Sequence, residues 1–165
     1  MLICQGDTAG LIYAHAEREY PRECCGIILG KRLGSRRIAL RIIQTENMIK
    51  INASKTHFLI NPLDIVKAEV LADDNELEVV GFYHSHTDYE ALPSNEDIIH
   101  MIEGYSYPIV SVKDGMCVGI NSFEKIMQTD TGVNKEEILM KEKEYADFCI
   151  HISNTEELFQ QTGEA

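Results

Sequence analysis

The chain has no tryptophan, only four prolines, and five cysteines that include no C-x-x-C pair. An odd cysteine count without that spacing argues against a disulfide framework and against a cysteine-built zinc site. Cys4, Cys24, Cys25, Cys117 and Cys149 are therefore read mostly as small buried apolar side chains. Positive charge is also scarce, with 15 Lys and Arg against 27 Asp and Glu and a net charge of −12. A surface that grips a phosphate backbone needs clustered cations, so nucleic acid is not expected as the main partner. The nearest thing to a basic patch, Lys31-Arg32 and Arg36-Arg37, flanks Leu33-Gly34-Ser35 in what reads as a hairpin tip. No run approaches the ~18 consecutive apolar residues of a membrane span. The longest apolar blocks, residues 24–29 and 79–83, have strand lengths instead. The opening residues lack the basic and apolar regions of a secretory signal, so a cytoplasmic location with no membrane partner is expected. Oligomeric state is left open.

What is present fits one domain of 165 residues. Asp7 or Thr8 can cap a helix running to about Glu19, which Pro21 ends. Residues 24–29 read as a buried strand and 37–44 as a second, joined through the Gly34-Ser35 turn. A short strand is expected at 57–60. Asn61-Pro62 then opens a helix carrying Ile65, Ala68 and Ala72 at helical spacing. Residues 77–86 form a third long strand. Ser94 starts another helix, with Asp97 three residues on in capping-box geometry. Two further strands, 108–112 and 116–122, are joined by the hairpin signal Asp114-Gly115. From Val133 onward a charged helical tail, residues 133–165, is expected, with Ile138, Tyr145 and Cys149 along one side. The mixture predicts an α+β or α/β sandwich with strands in the middle.

Chemistry concentrates in residues 81–97, GFYHSHTDYEALPSNED. Strand side chains alternate faces, so His84 and His86 project to the same side where an apolar strand runs out into a loop. Eleven residues past His86, in the first turn of the next helix, stands Asp97. Two imidazoles and a carboxylate make a three-ligand set of the kind catalytic zinc uses, with a fourth position for water. Zinc in such a site lowers the pKa of water toward ~7 and polarises a carbonyl. The chemistry also needs a carboxylate to carry the proton from water to the leaving amine. Many acids are available. Glu23 is the best placed of them, beside the buried 24–29 strand and after the Pro21 break.

The segments YPRECCGIILG (20–30), NPLDIVKAE (61–69) and GFYHSH followed by SNED (94–97) resemble the JAMM, or MPN-plus, metallopeptidases, in particular the small prokaryotic type. That family's pattern is an upstream Glu, then His-x-His, seven residues, Ser, two residues and Asp, and the spacing here matches at every position. The resemblance spans roughly residues 8–125. It implies an MPN-type, cytidine-deaminase-like fold with a central mixed sheet flanked by helices, and a catalytic domain over 1–132. It also implies one zinc ion per chain held by His84, His86 and Asp97. Glu23 would be the general acid/base, and Ser94 would stabilise the oxyanion while capping its helix. Family members cut peptide or isopeptide bonds after the Gly-Gly end of ubiquitin or ubiquitin-like proteins. The short chain lacks the long insertions of the deubiquitinases, which points to a small sulfur carrier of the ThiS or MoaD type as substrate. One departure is Thr87, where the family usually has Pro, so a less rigid loop is expected.

Other readings are weaker. His15, His57 and His151 are taken as structural, and His100 as surface or supporting. Asp88 and Glu90 are taken as solvated, while Cys24 has a chance of lining the site beside Glu23. Nucleobase deamination needs H-x-E with P-C-x-x-C, and the common zinc proteases need H-E-x-x-H; neither is present. A non-catalytic MPN module would be expected to have lost ligands, whereas all five motif residues remain. A DNA-repair-associated relative is disfavoured by the net charge.

Overall fold

The computed structural model describes residues 1–49, 56–126 and 132–141. Its strands are β1 (Leu2–Gln5), β2 (Cys25–Leu33), β3 (Arg36–Thr45), β4 (Glu78–Thr87), β5 (Tyr107–Lys113), β6 (Met116–Lys125), β7 (Val133–Glu136) and β8 (Ile138–Lys141). Its helices are α1 (Thr8–Glu19), α2 (Pro62–Asp74) and α3 (Asn95–His100). The strands form one mixed sheet in the order β7-β6-β5-β4-β2-β3-β1-β8.

Burial on both faces explains the continuous apolar run of β2. Ile28 packs with Ile12 and Ala16 of α1, while Ile27 and Leu29 pack with Ala68 and Ala72 of α2. Successive side chains of one strand thus feed two layers, and the sheet lies between helices as expected for an α+β sandwich. Gly26 breaks the run because a Cβ there would come within 2.4 Å of the Tyr83 ring on the neighbouring strand.

A register shift between Ile28 and Leu29 leaves Val80 as the extra residue of β4 opposite β2. The bulge changes the phase of the strand. Val79 faces the α2 layer and Val80 the α1 layer, Tyr83 stays on the α1 side, and Phe82 turns toward the α2 layer. His84 and His86 follow Phe82 at intervals of two and so share its face. Pairing with β2 on one side and β5 on the other (Cys25↔His84↔Ile109, and His86↔Ser111) holds both histidines on rigid strand.

Several elements differ from expectation. The helix expected from Val133 is, over its described part, the strands β7 and β8, separated by Glu137 alone. Because these consecutive strands lie at opposite ends of the order, the sheet curls until its ends meet. Arg37 fastens that junction: its guanidinium lies 3.0 Å from both Glu136 Oε2 and Glu124 Oε2 and donates to the Gly104 carbonyl at 2.9 Å. Residues 133–141 therefore belong to the sheet, and Tyr145 and Cys149 lie outside the described residues. Residues 57–60, expected as a short strand, form none. The short strand β1, ahead of α1, was not among the expected elements. Among the described residues, no helix is long and apolar enough to cross a membrane.

Candidate metal centre

The floor of the site is the Phe82, His84, His86 face of β4. Facing it is α3, which carries Asp97 in its first turn. The helix starts there because Ser94 and Asp97 cap it reciprocally: Ser94 Oγ accepts from Asp97 N at 3.1 Å, and Ser94 N donates to Asp97 Oδ2 at 2.7 Å. Ser94 Oγ also donates to Asp97 Oδ2 at 2.6 Å. The cap thus does two jobs, starting α3 and aiming the Asp97 carboxylate at the histidines.

The three groups converge. His84 Nε2 lies 3.1 Å from His86 Nε2 and 3.4 Å from Asp97 Oδ1, and His86 Nε2 lies 3.5 Å from Asp97 Oδ2. A tetrahedral ion bonded at ~2.0–2.1 Å sets its ligand atoms about 3.3 Å apart, so the donor set fits zinc. The His86 ring is turned by its other nitrogen, Nδ1, which sits 2.9 Å from the Glu90 carbonyl. A donated Nδ1–H there leaves the Nε2 lone pair free for a metal, the usual way an outer partner fixes a ligand's tautomer. Phe58 stacks on the His84 ring with centroids 4.3 Å apart and an interplanar angle of 21°.

Burial and charge oppose each other in this cluster. Burial lowers the His84 pKa, outweighing the Asp97 carboxylate beside it. Burial also disfavours protonated His86, but the Asp97 carboxylate, the Glu90 carbonyl and Glu23 together outweigh it and raise that pKa. Burial would push Asp97 up, yet its hydrogen bonds with His84 and His86 hold it well below the carboxylate range. The result is an ionised carboxylate beside one imidazole that burial keeps neutral and one that the carboxylate favours protonated; binding a divalent cation there would displace that proton.

Glu23 precedes β2 and is 4% exposed. Burial, reinforced by Asp97 and Glu96 and opposed by His86, raises its pKa to about 8. It lines the same groove of about 900 Å³ as His84, His86, Ser94 and Asp97. A buried carboxyl with a shifted pKa beside a group that could hold a metal is a candidate for general acid/base work. All five expected residues therefore meet in one groove.

Other expectations fare differently. His15 is core, 2.9 Å from Tyr83 Oη. His57 and His100 both line the groove, and His57 Nε2 lies 3.1 Å from Glu96 Oε2. His151 falls outside the described residues. Asp88 Oδ2 accepts a hydrogen bond from the Tyr20 hydroxyl at 3.3 Å, and the Glu90 carbonyl lies against His86 Nδ1. Cys24 is buried in the α1-side cluster, where its N–H donates to Ser85 Oγ. Thr87 is buried at the end of β4, paired with Val112, so the strand continues one residue past His86. The groove walls that sequence reasoning missed are apolar: Phe58, Ile60, Ile65, Phe82, Met101 and Tyr107. Their signal was ordinary core periodicity, which carries no mark of a groove.

A mixed sheet between helices, with His-x-His at a strand end and an aspartate in the first turn of the following helix, defines an MPN-type domain whose His84, His86 and Asp97 could hold one metal ion. The model of the family described as prokaryotic homologs of the JAB domain matches residues 7–124, and the chain belongs to that family, the small prokaryotic JAMM/MPN proteins. It is 33% identical to the CysO-cysteine peptidase of Mycobacterium tuberculosis over 116 residues, 69% of this chain and 75% of that protein. It is 34% identical to a probable TtuB-protein conjugate cleaving protease of Thermus thermophilus over 85 residues, 52% and 53% of the two chains. A Desulfitobacterium hafniense protein solved in solution superimposes with a TM-score of 0.77 at 29% identity, over 92% of this chain and all of that one.

Proposed function

We propose that the protein is a cytoplasmic zinc metallopeptidase that hydrolyses the bond following the C-terminal Gly-Gly of a small ubiquitin-like sulfur carrier of the ThiS or MoaD type. The observation that carries this reading is the convergence of His84 Nε2, His86 Nε2 and the two oxygens of the Asp97 carboxylate, 3.1–3.5 Å apart, in one groove with the buried Glu23. His84, His86 and Asp97 would hold the ion, one per chain. Zinc bound there supplies a Lewis acid for the scissile carbonyl and acidifies water.

The chain's own residues supply the rest. Glu23 takes a proton from the attacking water and delivers it to the leaving amine, so one group serves as base and then acid. Ser94 carries one hydroxyl proton, which points at Asp97 Oδ2. Stabilising an oxyanion requires that hydroxyl to turn toward the substrate, while its bond from Asp97 N keeps the oxygen in place. The apolar walls exclude water from the groove and strengthen these polar contacts.

The relatives support a ubiquitin-like substrate but differ in the bond named. The mycobacterial relative is a peptidase of a CysO-cysteine species and the Thermus relative acts on TtuB-protein conjugates. The second name favours a companion reading, an isopeptidase acting where a carrier is joined to a protein lysine. Intact-mass analysis separates the two. Carriers bearing residues beyond Gly-Gly and carrier–protein conjugates are incubated with zinc-loaded enzyme and with Glu23→Gln. Mass loss ending at Gly-Gly on free carriers supports the peptidase, and release of carrier only from conjugates supports the isopeptidase. No zinc-dependent mass change on either substrate removes the proposal.

A further inference from the structure

Beyond Thr45 the chain leaves β3, and two residues later the Asn47 side chain becomes the local organiser. Asn47 is 6% exposed. Its Nδ2 donates to the Glu23 carbonyl and to the His57 carbonyl, each at 3.0 Å. Its Oδ1 accepts from Ile49 N at 3.0 Å and from Leu59 N at 3.2 Å. A primary amide has two donors and two acceptor sites, so this side chain is saturated and its orientation is fixed by its partners. Around it, Arg22 Nη2 donates to the Asn47 carbonyl at 3.2 Å, and Met48 N donates to the Leu59 carbonyl at 3.0 Å.

The segments joined in this way are the ones the site depends on, and neither Glu23 nor residues 57–59 lie in a strand; on its other side Glu23 adjoins Cys24, whose N–H donates to Ser85 Oγ and whose carbonyl accepts from Ser85 N of β4. Glu23 precedes β2, whose first ladder residue is Cys25. Residues 57–59 belong to no strand, yet Phe58 among them lies flat on His84. Asn47 therefore connects the main chain of the proton carrier to the segment that braces a metal ligand. It is absent from the groove lining and touches none of the three ligands.

We propose that Asn47 is a positioning residue for hydrolysis, setting the main chain of Glu23 in register with His84 through the 57–59 segment and Phe58. This rests on the roles given above to Glu23 and His84. Misplacement of a reacting group by about 1 Å costs on the order of 10²-fold in rate, so a hub of this kind has leverage without touching substrate. A hub that only stabilised the fold would lower the melting temperature and leave folded, zinc-loaded enzyme at full speed.

The experiment compares wild type with Asn47→Ala, Asn47→Asp and a remote control, Ser122→Ala, whose hydroxyl serves Glu136 at the sheet junction. Each is measured for kcat and KM per bound zinc on the cleaved carrier, for amide exchange at Ile49 and Leu59, and for the visible spectrum of the cobalt(II)-substituted protein. Asn47→Ala is expected to keep its metal, lose ~10²-fold in kcat with KM changed far less, speed exchange at both amides and alter the cobalt band. Asn47→Asp keeps the two acceptors but loses both donors, so exchange at Ile49 and Leu59 should stay slow while kcat still falls. Ser122→Ala should lose thermal stability and keep kcat. Full kcat per bound zinc in both Asn47 variants, or a cobalt band in Asn47→Ala identical to that of wild type, overturns the proposal. If wild type cleaves no carrier, the peptidase reading fails by itself, and the cobalt band and exchange still decide whether Asn47 positions the site.

Discussion

Two buried charged clusters sit in the same sheet and are built on opposite rules. At the junction of the sheet ends, Arg37 meets Glu124 and Glu136, and Ser122 Oγ donates to Glu136 Oε1 at 2.5 Å. Donors face acceptors, and the cluster is complete. At the groove, His84, His86 and Asp97 turn two ring nitrogens and a carboxylate toward one point. Groups of that kind, all lone-pair donors aimed inward, could hold a cation. The first cluster is a fastening and the second is a socket, and burial alone does not distinguish them. What distinguishes them is whether the converging groups already match.

That contrast can be broken at either end. His84→Ala should empty the socket: zinc is lost and turnover falls by at least about 10³-fold, with the folded state retained by circular dichroism. Glu23→Gln should leave zinc at one per chain and lower kcat by about 10²–10⁴-fold, since it removes proton transfer and leaves all three ligands. Arg37→Met should do the reverse. Buried Glu136 then keeps only the N-terminal ammonium, 3.3 Å from its Oε2, and the Ser122 hydroxyl, so the loss is at most about 3–5 kcal/mol, read as a lower denaturation midpoint, while kcat of the folded, zinc-loaded fraction stays at the wild-type value.

A further effect is in pH. In chelated protein the folded Glu23 has a pKa near 8, against an ordinary value of 4.5. The folded state therefore holds a proton that the unfolded state has released, and stability falls as pH rises from 4.5 to about 8. Glu23→Gln should remove that part of the slope, so the variant gains on wild type in melting temperature between pH 5 and pH 8. Parallel slopes would mean the Glu23 carboxyl is not desolvated.

The socket was legible in the sequence because its parts are encoded at short range. His84 and His86 share a strand face by alternation alone, and Ser94 and Asp97 declare a helix start by their spacing. The fastening was not legible. Arg37 read as half of a basic hairpin tip because its partners, Glu124 and Glu136, are distant in sequence. Residues 133–141 suggested a helix by composition and charge pattern, and pairing of β7 with β6 and β8 with β1 overrode that preference. Phe58 and Asn47 escaped for a similar reason. A ring stacked on a ligand and an amide bridging residues 23 and 57 are tertiary facts, and no local pattern announces them.

Zinc content is the most direct measure of the central claim. Wild type and Asp97→Ala are purified without chelator, equilibrated with zinc and gel-filtered, and metal per chain is determined by elemental analysis. The expected result is one zinc per wild-type chain and close to none in the variant. Stoichiometric zinc in Asp97→Ala, or none in wild type, would contradict the assignment of His84, His86 and Asp97 as the metal centre.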